Sequence, residues 1–425
     1  MKHINDTDDV DRLFNGWRTS DSEHVEEIVS QTVTLLEGYE AFHGLRKRAR
    51  RARDREVMIR VIKAILCDVM HRVKTSDGGQ GRVAVSLDRT VRQDRYKAPT
   101  DTKQFPYLIH TLSSDGLRIL EIDEAGDWAR RRRTAVKAGR NLLMFMATSE
   151  TPIRVTDFSV DRLQEIVILK KSKEILDGRT AADRSLWIDY ADNPTADRYR
   201  AEMRQINYWL DGQPISYKGG RVIDITDRFL RRYFNNQSFE EGGRLFGGFW
   251  MSLRKRQRKL IRIAGDPVTT LDFDTMIARL AYAQVGLPLP PGDAYNIPGL
   301  NPEDRAGIKR VFSSMLFARS PLKAWPKFVR EDFTNPPKLS DTIVAIKAHH
   351  SPLGELWFTG VGYRMMFTES QILIRALLET IANGLVALPI HDALICREDD
   401  SPLIEQIMSE SFKEVAGQPA TISGD

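Results

Sequence analysis

The stretch GLVALPIHDALICRED, residues 384 to 399, constrains this chain more than any other. An apolar run, a polar His391–Asp392 pair and a second apolar run ending in charges form the pattern of a short β-hairpin with both polar groups in its turn. Pro389 lacks a backbone donor, so the first strand must lie at a sheet edge or be interrupted there. A carboxylate at such a turn can meet a metal ion or a cation brought from elsewhere in the chain. The alternative is an Asx-type turn, in which Asp392 bonds only its own backbone.

The second constraining stretch is PVTTLDFDTMIARLAYAQVG, residues 267 to 286. VTTLDF reads as a strand and TMIARLAYA as the start of an amphipathic helix, with Asp272 near the strand's carboxyl end. Asp274, two residues on, is expected to cap the helix. In PEDRAGIKRVFSSMLFAR, residues 302 to 319, Arg305 and Lys309 are four apart and share a helix face, with Phe317 two turns further. A planar fork and a point charge stacked in this way form a reasonable triphosphate clamp; a plain solvated face has the same spacing.

In this order the three stretches resemble motifs A, B and C of the palm-fingers core of family A DNA polymerases and single-subunit phage-type RNA polymerases. DFDTMIAR supplies Asp272, Phe273 and Arg279 of motif A; Arg305, Lys309 and Phe317 occupy motif B; the hairpin with His391 and Asp392 takes the place of motif C. FEEGGRLFGG resembles the D-x-x-G-R element, with Glu240 for its Asp, then Gly243 and Arg244, an element that touches the template hybrid in that family. GVGYRMMFTESQILIRALLETI resembles the palm helix that leads into motif C. The resemblance covers residues 235 to 417 and extends to small family-A-like polymerases of bacterial mobile elements and prophages.

The resemblance implies an α+β, right-hand-like palm and fingers behind a mostly helical amino-terminal region. It implies primer extension on a DNA or RNA template from nucleoside triphosphates, with two Mg²⁺ ions held by Asp272 and Asp392 and Mn²⁺ able to substitute. Lys309 and Arg305 would hold the triphosphate, and Lys309 would protonate pyrophosphate. Phe317, Phe273 and Ile277 would line the nucleotide site; His391, Arg244, Gly243 and Arg279 would contact primer or template. Two carboxylates about 4 Å apart repel by roughly 4 kcal/mol at an effective dielectric near 20, a penalty that a divalent cation reverses. Ile277 stands where DNA polymerases carry a sugar-screening Glu, and Ser313 where they carry an aromatic. DNA synthesis is therefore joined by primase-like or RNA synthesis as a reading. A non-catalytic nucleic-acid-binding protein on a palm scaffold and a metal-dependent nuclease are the rivals from other classes.

Length and composition bound the remainder. The 425 residues are 41% apolar and 28% charged, as in a globular protein of two or three domains. A net charge of +5 leans toward polyanionic partners. Two cysteines, Cys67 and Cys396, exclude a disulfide framework and a cysteine-rich zinc site. The polar start MKHINDTDDVDR is no signal peptide, and no apolar run is long enough to span a bilayer; a reducing cytoplasm is the expected setting.

Three regions are expected. Residues 1–150 form a helical, winged-helix-like accessory region, from the helical spacing of HVEEIVSQTVTLLEGYEAF and REVMIRVIKAILCDVMHRV and the strand-like RVAVSL and GLRILEID. Residues 151–235 form a charged, helical, thumb-like or connecting region, and 236–425 the catalytic core. The basic runs at 44–55 and 129–140 are either phosphate grips or solvated faces.

Overall fold

The computed structural model describes residues 12–76, 81–87, 94–123, 134–172, 175–176, 179–180, 187–220 and 223–424. The chain divides into two compact units, Met1–Glu165 with Gly219–Thr226, and Ile166–Lys218 with Asp227–Asp425. The expected break near 235 thus falls inside the second unit, in the turn of a hairpin.

The first unit contains β1 (Arg12–Leu13), β2 (Arg18–Thr19), α1 (Glu23–Phe42), α2 (Ala52–Lys74) and β3 (Val83–Ala84). It continues with α3 (Gln104–Leu112), β4 (Leu120–Asp123), β5 (Ala135–Ala138), α4 (Arg140–Thr148) and β6 (Ser159–Val160). Val25, Ile28, Val29, Val33 and Leu36 recur at helical spacing along α1 and share one core with Val61, Ile62, Ile65 and Val69 of α2. A four-stranded sheet of order β1-β3-β5-β4 accompanies the helices. In the basic run 44–55, Arg50 pairs with Glu40 and Arg55 with Glu37, so two of its cations tie α2 and its approach to α1. Arg130 to Arg133 of the second run lie outside the described residues.

The second unit opens with β7 (Val167–Leu169), β8 (Ile175–Leu176), β9 (Arg179–Thr180), α5 (Pro194–Asp211), β10 (Ile215–Tyr217), β11 (Leu230–Phe234) and β12 (Gly242–Gly247). Residues 151–235 are therefore not mostly helical. The α5 helix, capped by the Asn193 side chain on the Ala196 N–H, is the α-helix among their described residues. Short β-branched and aromatic runs such as Val167–Leu169 and Leu230–Phe234 pair in parallel as strands instead, and the charges between them do not make a helix face.

There follow α6 (Phe249–Ser252), α7 (Lys255–Arg258), β13 (Ile261–Ile263), β14 (Asp266–Phe273), α8 (Met276–Gln284) and α9 (Arg305–Phe317). Last come α10 (Leu339–His349), α11 (Gly362–Ala382), β15 (Ala387–Ile390), β16 (Ala393–Arg397), α12 (Ser401–Ala416) and β17 (Ile422–Gly424). One antiparallel sheet of order β10-β13-β14-β16-β15, with β17 added to β14, carries the centre of this unit. The α11 and α12 helices pack on each other, and α11 also packs on β12 and α8. The unit is α+β. As Pro389 requires, β15 is the edge strand.

Candidate active site

Strand alternation brings the carboxylates together. In β14, Leu271 and Phe273 point into the core and Asp272 between them opens to solvent. Pairing of β14 with β16 sets Asp272 opposite Ala393, and β15–β16 pairing sets Ile390 opposite the same Ala393. His391 and Asp392 are thus the whole two-residue turn, with His391 at φ +55°, and the Phe273 N–H points to the Asp392 carbonyl at 3.4 Å. Asp392 is not engaged in an Asx turn: among the described residues none donates a hydrogen bond to either carboxylate.

The electrostatics reflect this juxtaposition. The Asp272 pKa is pushed up to about 6, first by burial and next by the Asp392 charge, with Lys309 and Lys255 opposing and Asp274 adding to the rise. Asp272 therefore gives up its proton less readily than an isolated carboxyl. Asp274 itself accepts from Ser423 Oγ at 2.8 Å and does not cap α8; Thr275, left-handed at φ +52°, occupies the cap position without a side-chain bond. No group of three or more His, Cys, Asp or Glu suited to a metal occurs among the described residues. Two unpartnered carboxylates fit a hard divalent cation that keeps most of its ligands as water and substrate oxygen, and do not fit a metal caged by protein alone.

Lys309 and Arg305 do share a face of α9, and they share it over one ring. The Arg305 guanidinium lies 5.3 Å and the Lys309 ammonium 6.0 Å from the centroid of Tyr295. Arg305 is also held by the Asp293 carboxylate, its Nη2 donating at 3.1 Å, whereas Lys309 sends its charge toward Asp272. Tyr295 is fully buried, and its hydroxyl has no hydrogen-bond partner among the described residues, although the Ala278 N–H acts on it against the rise that burial causes. The preceding residue, Ala294, accepts from His350 Nε2 at 2.8 Å, and His350 Nδ1 in turn accepts from the Tyr282 hydroxyl of α8 at 3.1 Å. Burial holds the His350 pKa down at about 4, so this link between α8 and the approach to α9 stays neutral.

Four of the expected contacts are occupied by the protein. Phe273 is buried against Phe412, ring centroids 5.6 Å apart, because alternation turns it inward; it is a core residue and not part of a nucleotide surface. Arg279 donates to the Asp274 carbonyl at 2.9 Å and to Thr421 Oγ1 at 2.7 Å, pinning the lead into β17. Arg244 grips the buried Glu369 of α11 with both arms, at 2.7 and 2.9 Å, while still facing the Asp392 charge. At Gly243, φ +81°, a Cβ would lie 2.5 Å from Ser370 Oγ, so glycine is what lets β12 approach α11.

Phe317 and Ile277 are both half-buried. Phe317 meets Tyr363 edge-on at 5.1 Å and lies close enough to Gly362 to exclude a side chain there. The His391 pKa is lowered, chiefly by burial and then by the charges of Arg244 and Arg258. Sequence reading missed Tyr295, Glu369 and Trp250. Trp250 donates from Nε1 to the Pro389 carbonyl at 2.8 Å and so braces the hairpin two residues before His391. The segment that follows it, LRKRQRK, was a visible cluster of cations between two named motifs and was passed over.

No family model matches the sequence, and no curated protein matches it. Among solved structures, the POL domain of Pol1 from M. smegmatis, in complex with DNA primer-template and dNTP, aligns with a TM-score of 0.30 at 13% identity. The alignment covers 54% of this chain and 50% of that one, so the chain spans about half the length of that domain. A likeness of this size fixes neither fold nor activity.

Proposed function

We propose that the protein is a template-directed nucleotidyltransferase, a DNA polymerase of the kind carried by a mobile element or prophage, whose second unit is a palm with fingers. The observation that carries this reading is the pair Asp272–Asp392. These are two carboxylates far apart in the chain, held side by side by strand register, without a donor among the described residues, and facing a lysine on a separate helix. Divalent ions bound between them, Mg²⁺ or Mn²⁺, would activate the primer hydroxyl and steady the leaving oxygens. Asp272 and Asp392 would hold those ions. Lys309, exposed on α9, would bind the triphosphate and supply a proton to pyrophosphate; Arg305, steadied by Asp293, would hold the triphosphate beside it. The neutral His391 would donate or accept a hydrogen bond at the primer end, with Phe317 stacking on the incoming base or its template partner. Arg244, Gly243 and Arg279 act by positioning: the first two fasten α11 to β12, and Arg279 pins the lead into β17, which pairs with the carboxylate strand. Ile277 has no polar atom with which to screen the sugar, which favours ribonucleotide use as the second reading.

Extension of a labelled primer on a DNA template tests this, with deoxynucleotides or ribonucleotides supplied separately and Mg²⁺ or Mn²⁺ present. Product from the wild type and none from Asp272→Asn or Asp392→Asn is the expected result. A wild type that binds template but makes no product under any combination sinks the catalytic reading.

A further inference from the structure

The strongest cationic feature of the second unit is one to which the nucleotide site gives no role. Between α6 and β13 the chain reads RKRQRK, residues 254 to 259, five cations in six positions. Arg254, Lys255, Arg256 and Lys259 are exposed, and Arg258 is held in place by donating to the Leu253 carbonyl at 3.0 Å.

Two anchors fix where this ridge stands. Upstream, Trp250 is fully buried and bonds the Pro389 carbonyl of β15. Downstream, β13 pairs with β14, the strand that carries Asp272. The segment is thus tied at both ends to the strands that form the carboxylate centre. Its charges reach that centre: Lys255 acts on Asp272, and Arg258 acts on His391.

We infer that the ridge Arg254–Lys259 is a nucleic-acid backbone site, gripping the phosphates of the strand whose end reaches Asp272 and Asp392. The inference rests on the proposed nucleotidyltransferase reading and deepens it. A strand brought to a pair of carboxylates must carry its own negative phosphates past them, and repulsion has to be offset at the nearest backbone positions. Lys309 and Arg305 approach from α9 and, in that reading, engage the triphosphate; on the His391 side of the turn Arg244 is already gripped by Glu369, and the other cations that act there are those of the ridge. Exposed lysines and arginines on a braced turn suit phosphates, which carry no base identity, so this surface sets affinity and register and leaves sequence unread.

The test compares Arg254→Gln/Lys255→Gln/Arg256→Gln with a charge-matched control, Arg204→Gln/Lys347→Gln/Lys413→Gln, which removes exposed cations from α5, α10 and α12. Binding of a fluorescent DNA primer–template is followed by anisotropy across a KCl series. Single-nucleotide extension reports the nucleotide KM, and thermal melting checks that each variant folds. The ridge variant should flatten the plot of log affinity against log salt by about 2 to 3, roughly 1 for each phosphate left without its cation, with the nucleotide KM unchanged. The control should keep the wild-type slope. Equal slopes for ridge variant and wild type, with extension intact, overturn the ridge and leave the polymerase reading standing. Equal weakening in ridge variant and control also overturns it, since net charge alone would then be acting. Salt-dependent binding through the ridge without any extension keeps the ridge and removes the catalytic reading; no binding of nucleic acid by the wild type removes both.

Discussion

Asp68 in the first unit and Asp272 in the second are both carboxylates brought among other charged groups, and they are treated in opposite ways. Asp68 is fully buried and met on both oxygens: Arg12 at 2.7 Å and Arg18 at 2.9 Å on one, the Asn15 N–H at 3.0 Å on the other. Nearby, burial works to raise the pKa of Asp224, yet His71, Arg18 and Thr226 overcome it and hold that carboxyl far below the usual range. The Asp272 carboxylate has neither hydrogen bond nor ion pair among the described residues, and its pKa moves the other way. A carboxylate whose partners are all supplied by the protein is part of the fold. One left facing a second carboxylate is, on the proposed reading, arranged for a bound divalent cation.

The largest effect that separates the two is on stability. Asp68→Asn removes the charge that Arg12 and Arg18 share, leaving Arg18, 4% exposed, with Asp224 at 3.8 Å, and should cost about 3–5 kcal/mol in chemical denaturation. Asp272→Asn should instead raise stability, by about 1 kcal/mol once solvent screening of an exposed carboxylate is allowed for, while abolishing extension. If Asp272→Asn destabilised the protein as Asp68→Asn does, the contrast would collapse and Asp272 would be a structural residue.

Acid should sharpen the same contrast with opposite signs. Asp272 has a folded pKa of about 6, above its unfolded value near 3.9, so the folded protein holds the extra proton between those limits. Its contribution therefore favours the fold at low pH and is lost as pH rises through 6. Asp224 has a depressed folded pKa, so its contribution is present above pH 4 and is lost as pH falls below that. Apparent affinity for Mn²⁺ should weaken as pH falls through 6, approaching about tenfold per unit for one displaced proton. Asp392→Asn removes the second cause of the rise and should lower that midpoint part of the way, with burial and Asp274 holding it above the free value; Mn²⁺ titration followed by electron paramagnetic resonance reads both.

What could be read in the sequence follows the range of the interactions. The hairpin turn at His391–Asp392 and the exposed Asp272 between Leu271 and Phe273 rest on two-residue alternation, which is local and visible. That same alternation assigns Phe273 to the core, yet its place in a motif led to a nucleotide role. The fates of Arg244, Arg279 and Arg305 were not legible, because their partners Glu369, Thr421 and Asp293 lie 125, 142 and 12 residues away. A sequence displays a cation; only the fold shows whether an acceptor already holds it. Residues 151–235 were misjudged for a related reason: β7 is a three-residue strand stabilised by parallel pairing with β11, more than sixty positions on, and no local period announces it.

The smallest expected effects test the comparison within the second unit, at two buried tyrosines on either side of His350 and Ala294. Tyr282 donates to His350, whose other nitrogen holds Ala294; Tyr295, the next residue, has an orphan hydroxyl. Tyr282→Phe strands the Nδ1 acceptor of a buried neutral histidine and should cost about 1 kcal/mol. Tyr295→Phe removes a hydroxyl that already lacks a partner, so it should be neutral or stabilising by up to about 1 kcal/mol, with the Phe312 edge contact at 5.6 Å retained. Urea denaturation of both variants, without ligand, separates them. Equal destabilisation would mean that the Tyr295 hydroxyl is satisfied in solution, by the Ala278 N–H closing on it or by water reaching it from the carboxylate side. An orphan that is neutral to remove marks, like Asp272, a polar atom that the fold leaves unmatched beside its charged centre.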